Sequence, residues 1–228
     1  MAGTLFVVAT PIGNLEDLSA RALRVLRSVQ VIAAEDTRHT AHLLQHFGLT
    51  TPLTSLHEHN EATKSAALLQ RLQEGDDVAV VSDAGTPGIS DPGQQLVREA
   101  HLRGIRVEPV PGPSAVAAAV SACGFAGDGF VFLGFPPTKP SDRREWIGRL
   151  RASARIVPVA VFYEAPHRVQ TTLAELAREF PDVEVLVARE LTKVHEDIRY
   201  GQLANLVEAA PRGEYTIVVN IGHVTDAD

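Results

Sequence analysis

The strongest constraint on the fold is a repeated pattern: a short apolar run, then a loop of helix-breaking residues, then a segment with helical spacing. In the first half, buried strands are predicted at residues 5–9, 29–34, 78–81 and 105–110. Helices are predicted at residues 17–27, 37–47, 61–73, 93–103 and 114–122. Strands that alternate with helices form mostly parallel sheets covered on both faces. The pattern therefore predicts an α/β fold.

The second half repeats the alternation after a stretch rich in glycine and small residues at 124–129. Strands are predicted at residues 130–134, 156–163, 184–189, 197–200 and 215–221, and helices at 142–150, 167–180 and 203–209. The closing strands can run antiparallel, which gives a mixed sheet. We therefore predict two α/β domains, 1–123 and 124–228, and a chain of this length can bury two cores.

Composition narrows the functional classes. The net charge of −7 argues against a surface that binds nucleic acid everywhere, so any RNA contact must be local. The single cysteine, Cys123, excludes an internal disulfide, and we expect an inert packed thiol. No run approaches the roughly 20 apolar residues of a membrane span, and the N-terminal residues lack a signal-peptide pattern. We therefore expect a cytoplasmic protein with no membrane partner.

Three breaker-rich loops follow predicted strands, at the sheet edge where α/β proteins bind ligands. They read TPIGN at residues 10–14, SDAGTPGISDPG at 82–93 and PGPSA at 111–115. Gly85 and Gly88 let the backbone approach a ligand, and Asp83 at the strand tip can accept hydrogen bonds from an amine or hydroxyl. Ser114 can offer its hydroxyl and N–H at a helix start. The fingerprints of dinucleotide-binding oxidoreductases, P-loop NTPases and α/β-hydrolases are missing.

With AEDTR at 34–38, YEAPHR at 163–168, RELTK at 189–193 and GEY at 213–215, these loops resemble the ribosomal small-subunit methyltransferase I family. The match runs in order over nearly the whole chain. The resemblance implies two α/β domains of the tetrapyrrole methylase (class III methyltransferase) type, with S-adenosylmethionine in the cleft between them, and a homodimer. It also implies 2′-O-methylation of a cytidine ribose in the decoding region of 16S rRNA, within the small ribosomal subunit. The cofactor-lining positions that it implies are Pro11, Ile12, Gly13, Asp83, Ile89, Ser114, Ala115 and Tyr163.

Catalysis by such an enzyme depends mainly on alignment, because the sulfonium methyl group is already activated. A ribose hydroxyl is a weak acid, so a proton acceptor would help. Asp36, Glu164 and Glu190 are the catalytic candidates because they stand in the matched loops. Each is equally suited to a structural ion pair or a helix cap, and positioning without a strong base is the alternative.

Candidates for RNA contact come from basic residues. Residues 138–155 carry six basic and two acidic side chains, with Arg143 and Arg144 as candidates, while Trp146 is expected to pack in the core. Five further phosphate-contact candidates lie in matched loops that should border the cleft: Arg38, His167, Arg168, Arg189 and Lys193. For the histidines that share a predicted helix face at positions 39, 42 and 46, we expect a solvated surface and no metal site.

Two alternatives stay open. The same fold can methylate a tetrapyrrole, although such relatives usually show Gly-Asp-Pro in the third loop, where this chain has the longer segment 82–93. The other alternative is a non-catalytic RNA-binding assembly factor, against which the intact cofactor loops argue. The acidic net charge predicts preference for a folded small subunit over a bare RNA fragment, because few phosphate contacts are available.

Overall fold

A computed structural model describes residues 2–125 and 127–222. The chain forms two compact units, Met1–Ser114 and Ala115–Asp228, and each contains one five-stranded sheet with helices. The prediction of two α/β domains is confirmed. Among the described residues, no helix has the length and apolar character that crossing a bilayer requires.

The first unit is a doubly wound parallel sheet. Its strands are β1 Thr4–Val8, β2 Val31–Ala34, β3 Leu53–Ser55, β4 Val78–Val81 and β5 Arg106–Val110. Its helices are α1 Ala20–Ser28, α2 Thr37–His46, α3 Glu61–Glu74 and α4 Gln94–Leu102. The strand order is β3-β2-β4-β1-β5, and every pairing is parallel. The predicted parallel sheet is therefore confirmed.

Both faces of this sheet are buried, which explains why its central strands are apolar throughout. One core cluster joins Val31 and Val80 to side chains of α3 and α4 such as Leu72. The other joins Ile32 and Ala79, which point to the opposite face, to Leu26 of α1 and to Leu44 of α2. Each leucine that is fully buried in this way contributes about 1.5–3 kcal/mol relative to an exposed one. The all-parallel arrangement also brings the carboxyl ends of the strands, and the loops that follow them, to a single edge.

The second unit has a mixed sheet. Its strands are β6 Phe130–Phe132, β7 Val159–Glu164, β8 Glu184–Arg189, β9 Asp197–Gln202 and β10 Tyr215–Asn220. Its helices are α5 Ala115–Cys123, α6 Pro140–Ser153 and α7 Val169–Glu179. In the order β6-β7-β10-β8-β9, only β6 and β7 pair in parallel. The antiparallel closing strands, the core position of Trp146 and the buried thiol of Cys123 are confirmed.

Three features differ from the sequence-based expectation. Helix α5 contacts β7, β8 and β10, so the chain divides between Ser114 and Ala115 rather than between residues 123 and 124. Strand β3 was not predicted, because it has three residues and none is fully buried. The predicted helix at 203–209 is wrong: a single 3₁₀ turn covers Leu203–Asn205. Pro211 soon follows, and its missing N–H cannot support an α-helix.

Candidate functional site

The loops after β1 and β4 are joined by backbone hydrogen bonds at the carboxyl edge of the first sheet. The N–H of Thr10 donates to the carbonyl of Gly85 at 2.8 Å, and the N–H of Gly85 donates back to Thr10 at 3.1 Å. The Thr10 hydroxyl also donates to the carbonyl of Ser82 at 3.2 Å. These bonds fix the positions of two predicted ligand loops relative to each other.

The loop after β5 meets the same cluster. The Thr86 hydroxyl donates to the carbonyl of Pro113 at 3.0 Å. Gly85 has φ +83°, and a Cβ added there would lie 3.3 Å from Cγ2 of Ile12 and 3.6 Å from the Pro113 carbonyl oxygen. Glycine at position 85 therefore allows three chain segments to approach closely. The structure brings together the three loops that the sequence analysis selected, with Ser114 directly after Pro113.

The loop after β2 is joined to the loop after β4 by hydrogen bonds to carboxylates. Oδ1 of Asp83 accepts from the backbone N–H of Asp36 at 2.9 Å. Oε2 of Glu35 accepts from the backbone N–H of Asp83 at 3.3 Å. Asp83 thus sits at the tip of β4, as predicted, and is held by the neighbouring loop.

Two carboxyl groups that the sequence analysis missed lie beside Asp83. Burial is the largest cause that raises the pKa of Glu35, opposed by the N–H of Asp83 and reinforced by the charges of Asp83 and Asp36. Burial likewise raises the pKa of Asp91 to about 6, opposed by a hydrogen bond from Ser82 and reinforced by Glu35 and Asp83. The only sequence signal for Asp91 is its position in the same long loop, because burial and neighbours cannot be counted from spacing.

This loop cluster fits a cationic, amine-bearing ligand. Carboxylates at the strand tips attract positive charge and accept hydrogen bonds from amines and hydroxyls. The left-handed backbone at Gly85, Gly88 and Gly93 turns the long loop back on itself, and the same conformation at Ser90 costs roughly 1–3 kcal/mol. These carboxylates and the close-lying loop backbone therefore suit the sulfonium, amino and ribose groups of S-adenosylmethionine.

The remaining predicted cofactor residues divide between the two units. Pro11 and Ile12 are buried, Gly13 is exposed, and Ile89 is 37% exposed, all in the first unit. Ala115 begins α5 in the second unit. Tyr163 lies half-buried on β7, with its ring 4.9 Å from that of Phe132 and 5.4 Å from that of Phe135. Cofactor contact by these residues stays a prediction.

The catalytic candidate Asp36 is the N-cap of α2. Its Oδ1 accepts from the N–H of Arg38 at 2.8 Å, and its Oδ2 accepts from the guanidinium at 2.7 Å. The hydrogen bonds from the Arg38 side chain and backbone hold the pKa of Asp36 well below its usual range. A carboxylate with such a low proton affinity is a weak general base.

Glu164 and Glu190 are also engaged in the fold. The Glu164 side chain is fully buried and accepts from Thr172 Oγ1 at 2.5 Å and from Arg168 Nη2 at 2.8 Å. Glu190, at φ +53°, accepts from the N–H of Glu214 at 2.9 Å and from Lys193 Nζ at 2.9 Å. These two hydrogen bonds, the backbone one first, lower the pKa of Glu190. Their contacts favour structural roles, and their catalytic role stays a prediction.

Most of the predicted RNA-contacting cations have internal carboxylate partners. Arg143 is 13% exposed and pairs with Glu175, and Lys193 bridges Glu190 and Glu214. The remaining pairs are those of Arg38 with Asp36, Arg168 with Glu164 and Arg189 with Asp197. Arg144 and His167 are exposed. Within residues 2–125 and 127–222, no group of three or more His, Cys, Asp or Glu side chains could hold a metal ion.

Comparison with known proteins places this site in a family. The sequence profile of tetrapyrrole (corrin/porphyrin) methylases matches residues 4–207. The chain belongs to the tetrapyrrole methylase family. Within that family, the chain is 55% identical over 206 residues to ribosomal RNA small subunit methyltransferase I of Pseudomonas aeruginosa, covering 90% of this chain and 72% of the relative. The protein of that name from Escherichia coli O157:H7 is 46% identical, covering 97% of this chain and 78% of the relative.

Solved structures with low sequence identity share the fold of this chain. Uroporphyrin-III C-methyltransferase from Thermus thermophilus, complexed with S-adenyl homocysteine, matches with a TM-score of 0.66 at 19% identity, covering 96% of this chain and 97% of that chain. A diphthine synthase matches with a TM-score of 0.72 at 15% identity, covering 96% and 90%. The predicted family, ribosomal RNA small subunit methyltransferase I, is confirmed by the relatives. The predicted enzyme class, an S-adenosylmethionine-dependent methyltransferase, is confirmed at the level of the family.

Proposed function

We propose that this tetrapyrrole methylase transfers the methyl group of S-adenosylmethionine to the 2′-oxygen of a cytidine ribose in the decoding region of 16S rRNA, within the small ribosomal subunit. The observation that carries the RNA substrate is the identity of 43–55% to relatives named for the small-subunit rRNA. The ribose oxygen and the decoding region rest on the motif resemblance described above.

The joined loops of the first unit are the proposed donor site. Gly85 and Gly88 allow the left-handed turns that shape the long loop, and Asp83 accepts hydrogen bonds from the amine or hydroxyl groups of the donor. Pro11, Ile12 and Gly13 line the loop after β1, and Ile89, Ser114, Ala115 and Tyr163 complete the proposed set. The bound donor supplies an activated methyl group, so the protein's main contribution is alignment with the attacking oxygen, worth about 7–11 kcal/mol in favourable cases.

Proton removal is the second task of the site. We assign an orienting role to three carboxylates, those of Asp36, Glu164 and Glu190. Each already accepts hydrogen bonds from side-chain or backbone groups and so holds a loop or a cation in place. Asp91, with its pKa raised to about 6 by burial, is better matched to proton transfer near neutral pH. Alignment without a strong base remains the core of the proposal.

The alternatives make different demands on the acceptor. The fold is shared with a uroporphyrin-III C-methyltransferase, but at 19% identity that likeness concerns the fold alone. The relatives from Pseudomonas aeruginosa and Escherichia coli O157:H7 are named for ribosomal RNA, which favours an RNA acceptor over a tetrapyrrole. A non-catalytic assembly factor would not need the joined donor loops. The proposal also includes a homodimer and, since its substrate is the small subunit, a cytoplasmic location.

The test offers labelled S-adenosylmethionine with two acceptors: small subunits that lack the modification, and a tetrapyrrole. Mature, fully modified subunits are the matched control. We expect label in the rRNA of the unmodified subunits, none in mature subunits and none in the tetrapyrrole. Label that enters only the tetrapyrrole would assign the chain to the other branch of its family, and donor binding without any transfer would favour the assembly factor.

A further inference from the structure

A groove runs between α6 and α7 of the second unit. The cavity between these helices measures about 450 Å³, and a second cavity of about 420 Å³ adjoins it between α7 and the segment that contains Ala209 and Pro211. They share His167, Thr171, Glu175 and Arg178. Arg143 and Arg144 line it from α6, near the start of that helix. The groove between the two helices is therefore a concave surface with basic side chains from both of them, Arg143 and Arg144 from α6 and Arg178 from α7.

The cations of the groove fall into two kinds. Arg143 is nearly buried and donates to the Thr172 hydroxyl at 2.7 Å and to the Pro137 carbonyl at 3.2 Å, besides its pair with Glu175. It braces α6 against α7. By contrast, Arg144 and Arg178 are exposed and form no salt bridge among the described residues. Their charges are available to a ligand.

The acidic side chains of the groove are neutralised within the fold. Glu175 pairs with Arg143, and Glu179 pairs with Arg151 at 3.1 Å. The groove therefore keeps a net positive charge in a chain whose net charge is −7. A local basic surface on an acidic protein attracts a polyanion to one place.

The N-terminal residues of both helices line this groove. The cavities are lined by Pro140 in the first turn of α6 and by His167 and Arg168 at the start of α7. Neither helix has a side-chain hydrogen bond at its N-cap, where Lys139 and Arg168 stand in place of the usual Ser, Thr, Asp or Asn. Uncapped N–H groups and the positive helix ends favour anions, and phosphate in particular.

We propose that the α6–α7 groove binds phosphates of the RNA substrate, with Arg144, His167 and Arg178 as the contacts and Arg143 as a positioning residue. The inference rests on the proposed RNA substrate and adds where that substrate is held. It assigns different roles to two neighbouring arginines that the sequence could not distinguish. Arg144 contacts phosphate, whereas Arg143 holds α6 and α7 in position. Arg178 was not among the sequence-based candidates.

The test compares Arg144→Gln, Arg178→Gln and the double variant with Arg149→Gln, an exposed arginine of α6 that does not line the groove. Binding to unmodified small subunits is measured by co-sedimentation between roughly 50 and 200 mM KCl. Each lost phosphate contact should reduce the slope of log K against log salt concentration by about 0.7–0.9. We therefore expect the slope of log K against log salt concentration to be smaller by about 1.4–1.8 in the double variant. The slope of Arg149→Gln should match that of the wild type.

Affinity for S-adenosylhomocysteine, measured by calorimetry, should be unchanged in all four variants, which shows that they fold. An unchanged salt slope in the double variant would overturn the groove assignment. So would an equal loss of binding to polyglutamate, which would indicate an acidic protein ligand. A groove-dependent RNA slope without methyl transfer would leave this inference standing and overturn the proposed function. Methyl transfer to the rRNA at an unchanged rate in the groove variants would support the proposed function and overturn this inference.

Discussion

The carboxyl group of Asp91 predicts an unusual pH dependence of stability. Asp91 is half-buried in the long loop after β4, and burial, with the charges of Glu35 and Asp83, raises its pKa from 3.8 to about 6. The folded protein therefore holds this proton more tightly than the unfolded chain. The cost of ionising Asp91 is absent below pH 3.8, grows up to about pH 6 and is constant above it.

The substitution Asp91→Asn removes that cost while keeping the shape of the side chain. Each tenfold change in proton affinity is 1.36 kcal/mol, so a pKa moved from 3.8 to about 6 corresponds to at most about 3 kcal/mol. Solvent near the half-buried group reduces this to roughly 1–2 kcal/mol. We expect Asp91→Asn to raise the free energy of unfolding by this amount at neutral pH, and to change it little near pH 4.

Urea unfolding at several pH values measures the effect directly, because the midpoint shifts while the slope with denaturant stays constant. The control is Asp17→Asn, which alters an exposed carboxyl of the same unit and should change stability by less than about 0.5 kcal/mol. If Asp91→Asn were no more stable than the wild type at neutral pH, or equally stabilised at pH 4, the described environment of Asp91 would be wrong.

Three further substitutions test the donor site and the second unit. Asp83→Ala should weaken S-adenosylhomocysteine binding in calorimetry by on the order of tenfold, the effect of about 1.4 kcal/mol, and unchanged affinity would remove Asp83 from the site. Glu164→Gln should destabilise by about 3 kcal/mol because it removes the buried carboxylate that pairs with Arg168, and a thermal melt like that of the exposed-site variant Glu179→Gln would contradict this. Gly213→Ala should cost more than about 1 kcal/mol, because φ is +94° and the added Cβ would lie 2.7 Å from Glu190 Cγ. Adding Glu190→Ala should recover the steric part of that loss in denaturant melts, and no recovery would refute the clash.

The sequence predicted the elements whose local signal is strong. Strands β4 and β8 match their predicted bounds because each is a compact apolar run between polar or breaker residues. Helix α5 was assigned to the wrong unit because its small apolar residues surround the whole helix, so no face indicates which sheet it covers. The 3₁₀ turn at Leu203–Asn205 was overextended to a helix because helical spacing continued until Pro211.

The candidate site was likewise predicted only in part. The three glycine-rich loops were predicted because glycine and proline mark positions after strands, and strand direction brings those positions to one edge. The perturbed carboxyl groups Glu35 and Asp91 were not predicted, because their pKa values depend on burial and on neighbours distant in sequence. Spacing likewise could not show that Arg143 is used inside the fold while Arg144 is exposed.

The most direct test of the proposed function is to locate the transferred methyl group. Unmodified small subunits are incubated with the chain and labelled S-adenosylmethionine, and the rRNA is digested and analysed by mass spectrometry. We predict one labelled nucleotide, a cytidine of the decoding region with the methyl group on its ribose 2′-oxygen. A methyl group on a base, label spread over many positions, or none in the rRNA would contradict the proposal.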